Sequence, residues 1–171
     1  MNAEDLRSVQ SPLKERYRET PESALITLRA QGRLGEGVSC KIETGKALVV
    51  AGLHPATGGS GQSACSGDML LEALVACAGV TLNAVATALG IELRDASLQA
   101  EGDLDFRGTL GVSKEAPVGF QSIRLQFTLD TDASEEQLAT LLRLTERYCV
   151  VYQTLAHPPE VLVTRKSVTD K

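Results

Sequence analysis

The sequence predicts an α+β fold in which antiparallel strands pack around one long helix. Three observations predict it. Ser66 to Gly90 is rich in Ala and Leu and apolar nearly all round, the pattern of a helix enclosed by protein. Short strand-like runs with tight, Gly-rich connections precede it, as in an antiparallel meander. Alternating runs and a capped amphipathic segment follow it. The order strands, long helix, strands, helix, strand reads as α+β with mostly antiparallel pairing.

Each element has a local reason. Residues 1–23 are polar and charged and read as an N-terminal extension, with a short helix from Leu13 to Arg18 ending before Pro21. Residues 24–171 read as one domain. Ala24 to Ala30 alternates as a strand, with Ile26, Leu28 and Ala30 on one side. Gln31 to Gly37 holds three glycines and reads as a turn. Val38 to Glu43 and Ala47 to Ala51 read as two further strands, joined tightly near Thr44-Gly45-Lys46. His54 to Ser63 is a loop by composition.

The long helix then begins, with Ser66 as the expected N-cap, Asp68 in the first turn and Gly90 as the terminating residue. It would run roughly 35 Å. Leu98 to Phe106 alternates, and Ser122 to Asp130 does so most clearly, with Ile123, Leu125, Phe127 and Leu129 on one face. Residues 107–119, with Gly108, Gly111, Pro117 and Gly119, read as a loop or hairpin tip. Ser134-Glu135-Glu136-Gln137 has the form of a capping box. It opens a helix with Leu138, Leu141, Leu142 and Thr145 on one side. Tyr148 to Leu155 reads as a short third helix, stopped by Pro158-Pro159, and Val161 to Thr164 as a last strand.

Composition narrows the function. Of 171 residues 43% are hydrophobic and 23% charged, as in ordinary globular domains. The net charge of −5 and 4% aromatic residues, with no Trp, argue against nucleic-acid binding. Glu72, Asn83 and two threonines inside the apolar helix, without basic flanks, argue against a membrane span. The N-terminus shows no apolar signal core, so the expected location is the cytoplasm, where four cysteines are more often thiols or redox groups than structural disulfides. No C-x-x-C or H-x-x-x-H spacing is present, so no metal is expected. Neither the G-x-x-x-x-G-K-[ST] phosphate loop nor G-x-S-x-G occurs, and no cofactor is expected.

Attention therefore falls on the cysteines. Cys77 lies mid-helix among Ala73, Leu74, Val80 and Thr81. Such a face alone would raise its pKa and leave it an inert, packed thiol. Reactivity would need a cation brought from elsewhere in the fold. Cys149 stands at an expected helix start, where free N–H groups favour a thiolate; a packed cysteine is the alternative. Cys40, in a strand, and Cys65, in the loop before the helix, read as bystanders.

The segment Ser66-Gly67-Asp68-Met69-Leu70-Leu71-Glu72-Ala73-Leu74-Val75-Ala76-Cys77 resembles the first cysteine helix of the OsmC/Ohr family, the osmotically induced and organic hydroperoxide resistance proteins. Glu146 to Leu155, around Cys149, resembles that family's second cysteine segment. The order of elements also matches over nearly the whole chain after the extension. The resemblance implies an OsmC-like fold, with antiparallel sheets wrapped around a central helix in an intertwined homodimer. It implies a cysteine-based peroxidase that reduces organic hydroperoxides, and hydrogen peroxide less well. Cys77 would be the peroxidatic cysteine and Cys149 the resolving one. Arg33 would be the activating arginine, with Arg29 as the fallback, and Asp68 the acidic partner. A dithiol, a lipoyl group or a small thiol, would be the reductant.

Three positions depart from the family pattern: Asp68 for Glu, Val150 for the Pro after the resolving cysteine, and Gly67 for the Pro before the acidic position. They leave room for a second reading, a redox-inactive or weakly active dimeric module that binds an apolar ligand or partner. Asp68 and Cys77, nine residues apart, fall on opposite sides of a straight helix. The carboxylate near a given Cys77 is therefore expected from the other chain.

Overall fold

The structure, a computed structural model, describes residues 31–34, 39–43, 48–111 and 113–166, with 2–4, 8, 11 and 19. Of these, 31–34, 39–43, 48 and 107 are described by main chain only. The expected helix from Leu13 to Arg18 and the expected strand from Ala24 to Ala30 lie outside the described residues.

Three short strands form the first sheet: β1 (Gln31–Leu34), β2 (Ser39–Glu43) and β3 (Leu48–Gly52), paired antiparallel in that order. β1 corrects the expectation of a turn over 31–37. Gly32 lies opposite Ile42 and Arg33 opposite Lys41, so β2 offers a ladder that outweighs the glycines' loop preference. After β3 the chain makes a 3-10 turn at Pro55–Thr57 and returns to the β3 edge. Ala64 donates to the Val50 carbonyl at 3.0 Å and accepts from the Gly52 N–H at 3.0 Å. This clip fixes where the long helix starts.

That helix, α1, spans Ser66–Leu89. The expected N-cap is off by one residue: Cys65 is the cap, its backbone extended and its side chain making no capping bond. Its carbonyl instead accepts from the Met69 N–H at 3.0 Å, which makes Ser66 the first helical residue. Gly90 ends the helix at φ 68°, the left-handed conformation that glycine adopts without strain.

By length and composition alone α1 could cross a membrane; here one stripe of it, Leu74, Ala78, Leu82 and Ala86, is buried against the rest of the fold. The expectation of a helix enclosed all round is met on that side only. Leu70, Leu89 and especially Val80, 74% exposed, face outward, because a single chain supplies cover from one direction.

The cover is a second sheet and two helices. β4 (Asp95–Asp103) and β5 (Ser122–Asp130) pair antiparallel along their whole length, Asp95 opposite Asp130 and Asp103 opposite Ser122. β4 ends at Asp103, short of the expected Phe106, and a helical turn, α2 (Phe106–Thr109), opens the connection to β5. Alternation puts Leu98 and Ala100 with Ile123, Leu125 and Phe127 on the face against α1. Polar residues hold the other face, where Arg124 bonds Asp103 at 2.9 Å and Glu101 at 3.3 Å.

α3 (Glu135–Tyr148) has the expected capping box: Ser134 Oγ accepts from the Gln137 N–H, and Gln137 Oε1 from the Ser134 N–H. Leu141, fully buried, packs with Leu82, Ala86 and Ile91 of the α1 end. α4 (Val150–Ala156) follows with only Cys149 between the two helices. Residues 161–164, expected as a strand, have no regular structure, and Val161, Leu162 and Val163 are exposed. No described strand runs beside them, so their β-branched side chains find no ladder to join.

Candidate functional site: a pair of thiols between two helices

The corner between α3 and α4 is built around Cys149. Its backbone is extended, φ −74° and ψ 107°, and serves both helices. The Cys149 N–H donates to the Thr145 carbonyl at 2.9 Å, closing α3, and its carbonyl accepts from Gln153 N–H at 2.9 Å, opening α4. The Gln153 side chain donates to the Glu146 carbonyl at 2.8 Å and braces the bend. Thr145, also buried, gives its hydroxyl hydrogen to the Leu141 carbonyl at 2.8 Å. The corner thus satisfies its own polar groups and turns the Cys149 side chain inward, where it is 1% exposed.

What it meets is α1. Cys149 clusters with Leu74 and Ala78, and Cys77, half-buried, packs against the same cluster with Val151, Tyr152 and Leu155. Cys77 and Cys149 lie together in this cluster, each acting on the other's ionisation, and both are free thiols. Residues 72 positions apart in sequence are brought together because one caps α4 and the other sits midway along α1.

The two sulfurs experience the contact differently. Burial is the largest single influence on Cys77 and pushes its thiol up. Against it stand the Val151 N–H, the Cys149 thiol, the Val150 N–H and the Thr81 hydroxyl, and together they bring the Cys77 thiol below its ordinary value. Hydrogen bonds to the charged form lower an acid's pKa. The Thr81 contribution is the smallest, consistent with its single proton being held by the Cys77 carbonyl at 2.8 Å. Cys149 is pushed up, first by burial and then by its contact with Cys77, which the N–H groups of Tyr152 and Val151 do not offset. The sequence pointed to the helix start at Cys149 as support for a thiolate there; the amides of that start favour Cys77 instead. The pair is therefore unequal: Cys77 is the more easily ionised sulfur and Cys149 the less.

The other expected site residues are placed as follows. Arg33 lies in β1, its side chain outside the description, and Arg29 lies outside the described residues. Asp68 is exposed in the first turn of α1. Nine residues of helix put it about 13 Å along the axis from Cys77, so a chain does not bring its own Asp68 carboxylate to its own Cys77. Among the described residues no group of three or more His, Cys, Asp or Glu could hold a metal ion. Three groups that act on Cys77 were not assigned a role from sequence: Val150, Val151 and Thr81. Thr81, four residues after Cys77, could have been found from helix spacing. The two amides needed the fold.

The OsmC-like protein family matches residues 59–164, well over half the chain and spanning both cysteines. The chain belongs to the OsmC-like family. No curated protein sequence matches it. Solved structures share the fold. An OsmC-like protein from Mycoplasma pneumoniae superposes with TM-score 0.66 at 17% identity, covering 78% of this chain and 89% of that one. An organic hydroperoxide resistance protein OsmC from Legionella pneumophila gives 0.61 at 19%, covering 78% and 92%. The organic hydroperoxide resistance protein OhrB of Bacillus subtilis gives 0.52 at 20%, covering 79% and 94%. The OsmC-like fold of mixed helix and antiparallel sheet is thus the fold of this chain.

Proposed function

We propose that this OsmC-like protein is a thiol-dependent peroxidase acting on organic hydroperoxides. The observation that carries the proposal is the contact between a lowered Cys77 thiol and a raised Cys149 thiol. The Cys77 thiolate attacks the outer peroxide oxygen. The O–O bond breaks, sulfur is oxidised to sulfenic acid, and the leaving alkoxide takes a proton to become an alcohol. The Cys149 thiol then displaces the sulfenic hydroxyl, which leaves as water, and a Cys77–Cys149 disulfide forms. A dithiol, a lipoyl group or a small thiol pair, reduces it by exchange and is itself oxidised. Apolar residues one turn either side of Cys77, Leu74 and Val80, favour an alkyl or aryl peroxide over hydrogen peroxide.

The reading includes a cytoplasmic homodimer. The outward-facing Leu70, Val80 and Leu89 of α1 and the exposed Val161, Leu162 and Val163 form apolar surface of the kind a second copy would cover. In that arrangement the partner copy supplies the Asp68 carboxylate, and Arg33, or Arg29 in its place, supplies the cation. The test is titration of the reduced protein with cumene hydroperoxide. One equivalent consumes the Cys77 thiol and yields the disulfide, dihydrolipoamide sustains turnover, and Cys77→Ser abolishes both. A Cys77 thiol untouched by excess hydroperoxide would overturn the reading.

A cavity of about 490 Å³ supports the alternative of an apolar-ligand module. It lies between the second sheet and α4, lined by Leu74, Phe120, Ile123, Leu125, Tyr152 and Leu155 among others. Binding of a fluorescent apolar probe that is unchanged in Cys77→Ser, in a protein without peroxidase turnover, would favour it.

A further inference from the structure

We propose that the cavity between β5 and the α3–α4 corner is a binding site for an uncharged aromatic molecule, with Glu146 at its rim turning carboxylates away. The proposal names the ligand class of the second reading above. It does not depend on whether Cys77 reduces a peroxide, because neither Cys77 nor Cys149 lines the cavity.

The walls point to a flat ring. The chain has only three Phe, three Tyr and no Trp, yet Phe120, Phe127 and Tyr152 all line this one cavity. Aromatic side chains pack best against another ring, offset or edge-on. The volume of about 490 Å³ falls within the range of small-molecule sites and far exceeds the voids of a packed interior. Leu74 and Tyr152 also belong to the cluster that holds the thiols, so an occupant packs against side chains of the same cluster as Cys77 and Cys149.

One wall is seated by two glycines. Glycine weakens a strand interior, yet β4 carries Gly102, where any Cβ would run into the Phe120 ring. Gly67, in the first turn of α1, faces the same ring, which stands 3.5 Å from where a Cβ would be. The Phe120 ring thus lies against both elements and forms its wall before a ligand arrives, which lowers the cost of binding.

Charge decides against an anion. Glu146 is the only charged side chain among the lining residues. Arg147, next along α3, has its guanidinium 5.6 Å from the Tyr148 ring centre. Arg124 is engaged by Asp103 and Glu101 on the outer face of the sheet. His157, beyond the end of α4, is exposed and not part of the lining. A carboxylate entering between these walls would lose water without gaining a counter-ion, and would meet the Glu146 charge besides. An uncharged ring bears neither cost.

The experiment is a methyl-resolved NMR titration of the whole chain at neutral pH with two probes of nearly one shape, benzamide and benzoate. Benzamide shifts the Ile123, Leu125 and Leu155 methyls saturably at up to about 10 mM, the weak end expected of so small a ligand. The Leu138 and Leu142 methyls, which pack in the other cluster, stay still. Benzoate binds about tenfold more weakly. Glu146→Gln keeps the main-chain carbonyl that Gln153 uses and narrows that gap about threefold, chiefly by improving benzoate.

No saturable shift from benzamide would overturn the proposal, and is the result that a second copy of the chain seated in the cavity would give. Shifts confined to the other cluster, or benzoate bound as tightly as benzamide, would overturn it too. A gap unchanged in Glu146→Gln would overturn the role given to Glu146. Benzamide binding in a protein that leaves cumene hydroperoxide untouched would sink the peroxidase and leave this site standing; peroxide consumption without benzamide binding would do the reverse.

Discussion

Replacing Cys149 by serine and by alanine separates two roles that the native thiol combines. The Cys149 thiol is among the neighbours that hold the Cys77 thiol down, and under the proposed mechanism it also resolves the sulfenic acid. Serine keeps a donor at nearly the same place but cannot form a disulfide; alanine keeps neither. A hydrogen bond to a charged group is worth about 1.5–3 kcal/mol. The Val150 and Val151 amides remain in both variants, so only one donor is lost. The site is 1% exposed, so bulk solvent does not stand in for the lost donor.

Alanine therefore costs the Cys77 thiolate about 1.5 kcal/mol, and its first oxidation at neutral pH slows about tenfold. Serine oxidises at close to the native rate. Neither variant turns over with a dithiol at the native rate, and both accumulate a sulfenic acid. The assay is stopped-flow single turnover with cumene hydroperoxide, followed by dimedone trapping and steady-state turnover. Equal first-oxidation rates for serine and alanine would refute the donor argument. A disulfide-linked Cys77 in either variant would refute the resolving role.

Two further outcomes test the fold that holds the pair. Leu141→Ala empties a fully buried position in the cluster that joins α3 to the end of α1; it should cost about 2–5 kcal/mol in urea unfolding while leaving Cys77 labelling of the folded protein unchanged. Asp103 is held well below the usual carboxylate range, chiefly by hydrogen bonds from Arg124 and then Ser122. A depressed folded pKa adds stability above the unfolded value and loses it as pH falls, so Asp103→Asn should unfold earlier than native in urea at pH 7, with a gap that closes below about pH 4; a gap equal at pH 7 and pH 3 would contradict this.

Most of the fold was legible where one local signal was strong. The period-two run at 122–130 is β5, Ser134 to Gln137 is a capping box, and Gly90 ends α1. Misreadings fell where a neighbour decides. Gln31 to Leu34 looked like a turn because glycines favour loops, but the ladder with Lys41 and Ile42 makes it a strand. Val161 to Thr164 looked like a strand because β-branched residues suit pleated surfaces, yet no described strand lies beside it. The α1 cap moved to Cys65 because the β3 clip at Ala64, a contact far from the helix in kind, sets where the chain turns.

The same distinction governs the site. From the helix alone, Cys77 sits on an apolar face, and burial is indeed the strongest single influence on it, in the direction of inertness. Sequence reasoning concluded that a reactive Cys77 needs an imported cation. Among the described residues the influences that overcome burial are neutral: two amides from the first turn of α4, a neighbouring thiol and a hydroxyl. None is a long-range charge; each acts only at contact, and the amides and the thiol depend on the α3–α4 corner being bent as Cys149, Gln153 and Thr145 bend it. An arginine could activate a sulfur from several positions, whereas an amide serves from one. Cys77 chemistry should therefore be more sensitive to substitutions that relax the corner than to those that change nearby charge, and any cation supplied by Arg33 or Arg29 would add to a thiolate that the main chain already favours.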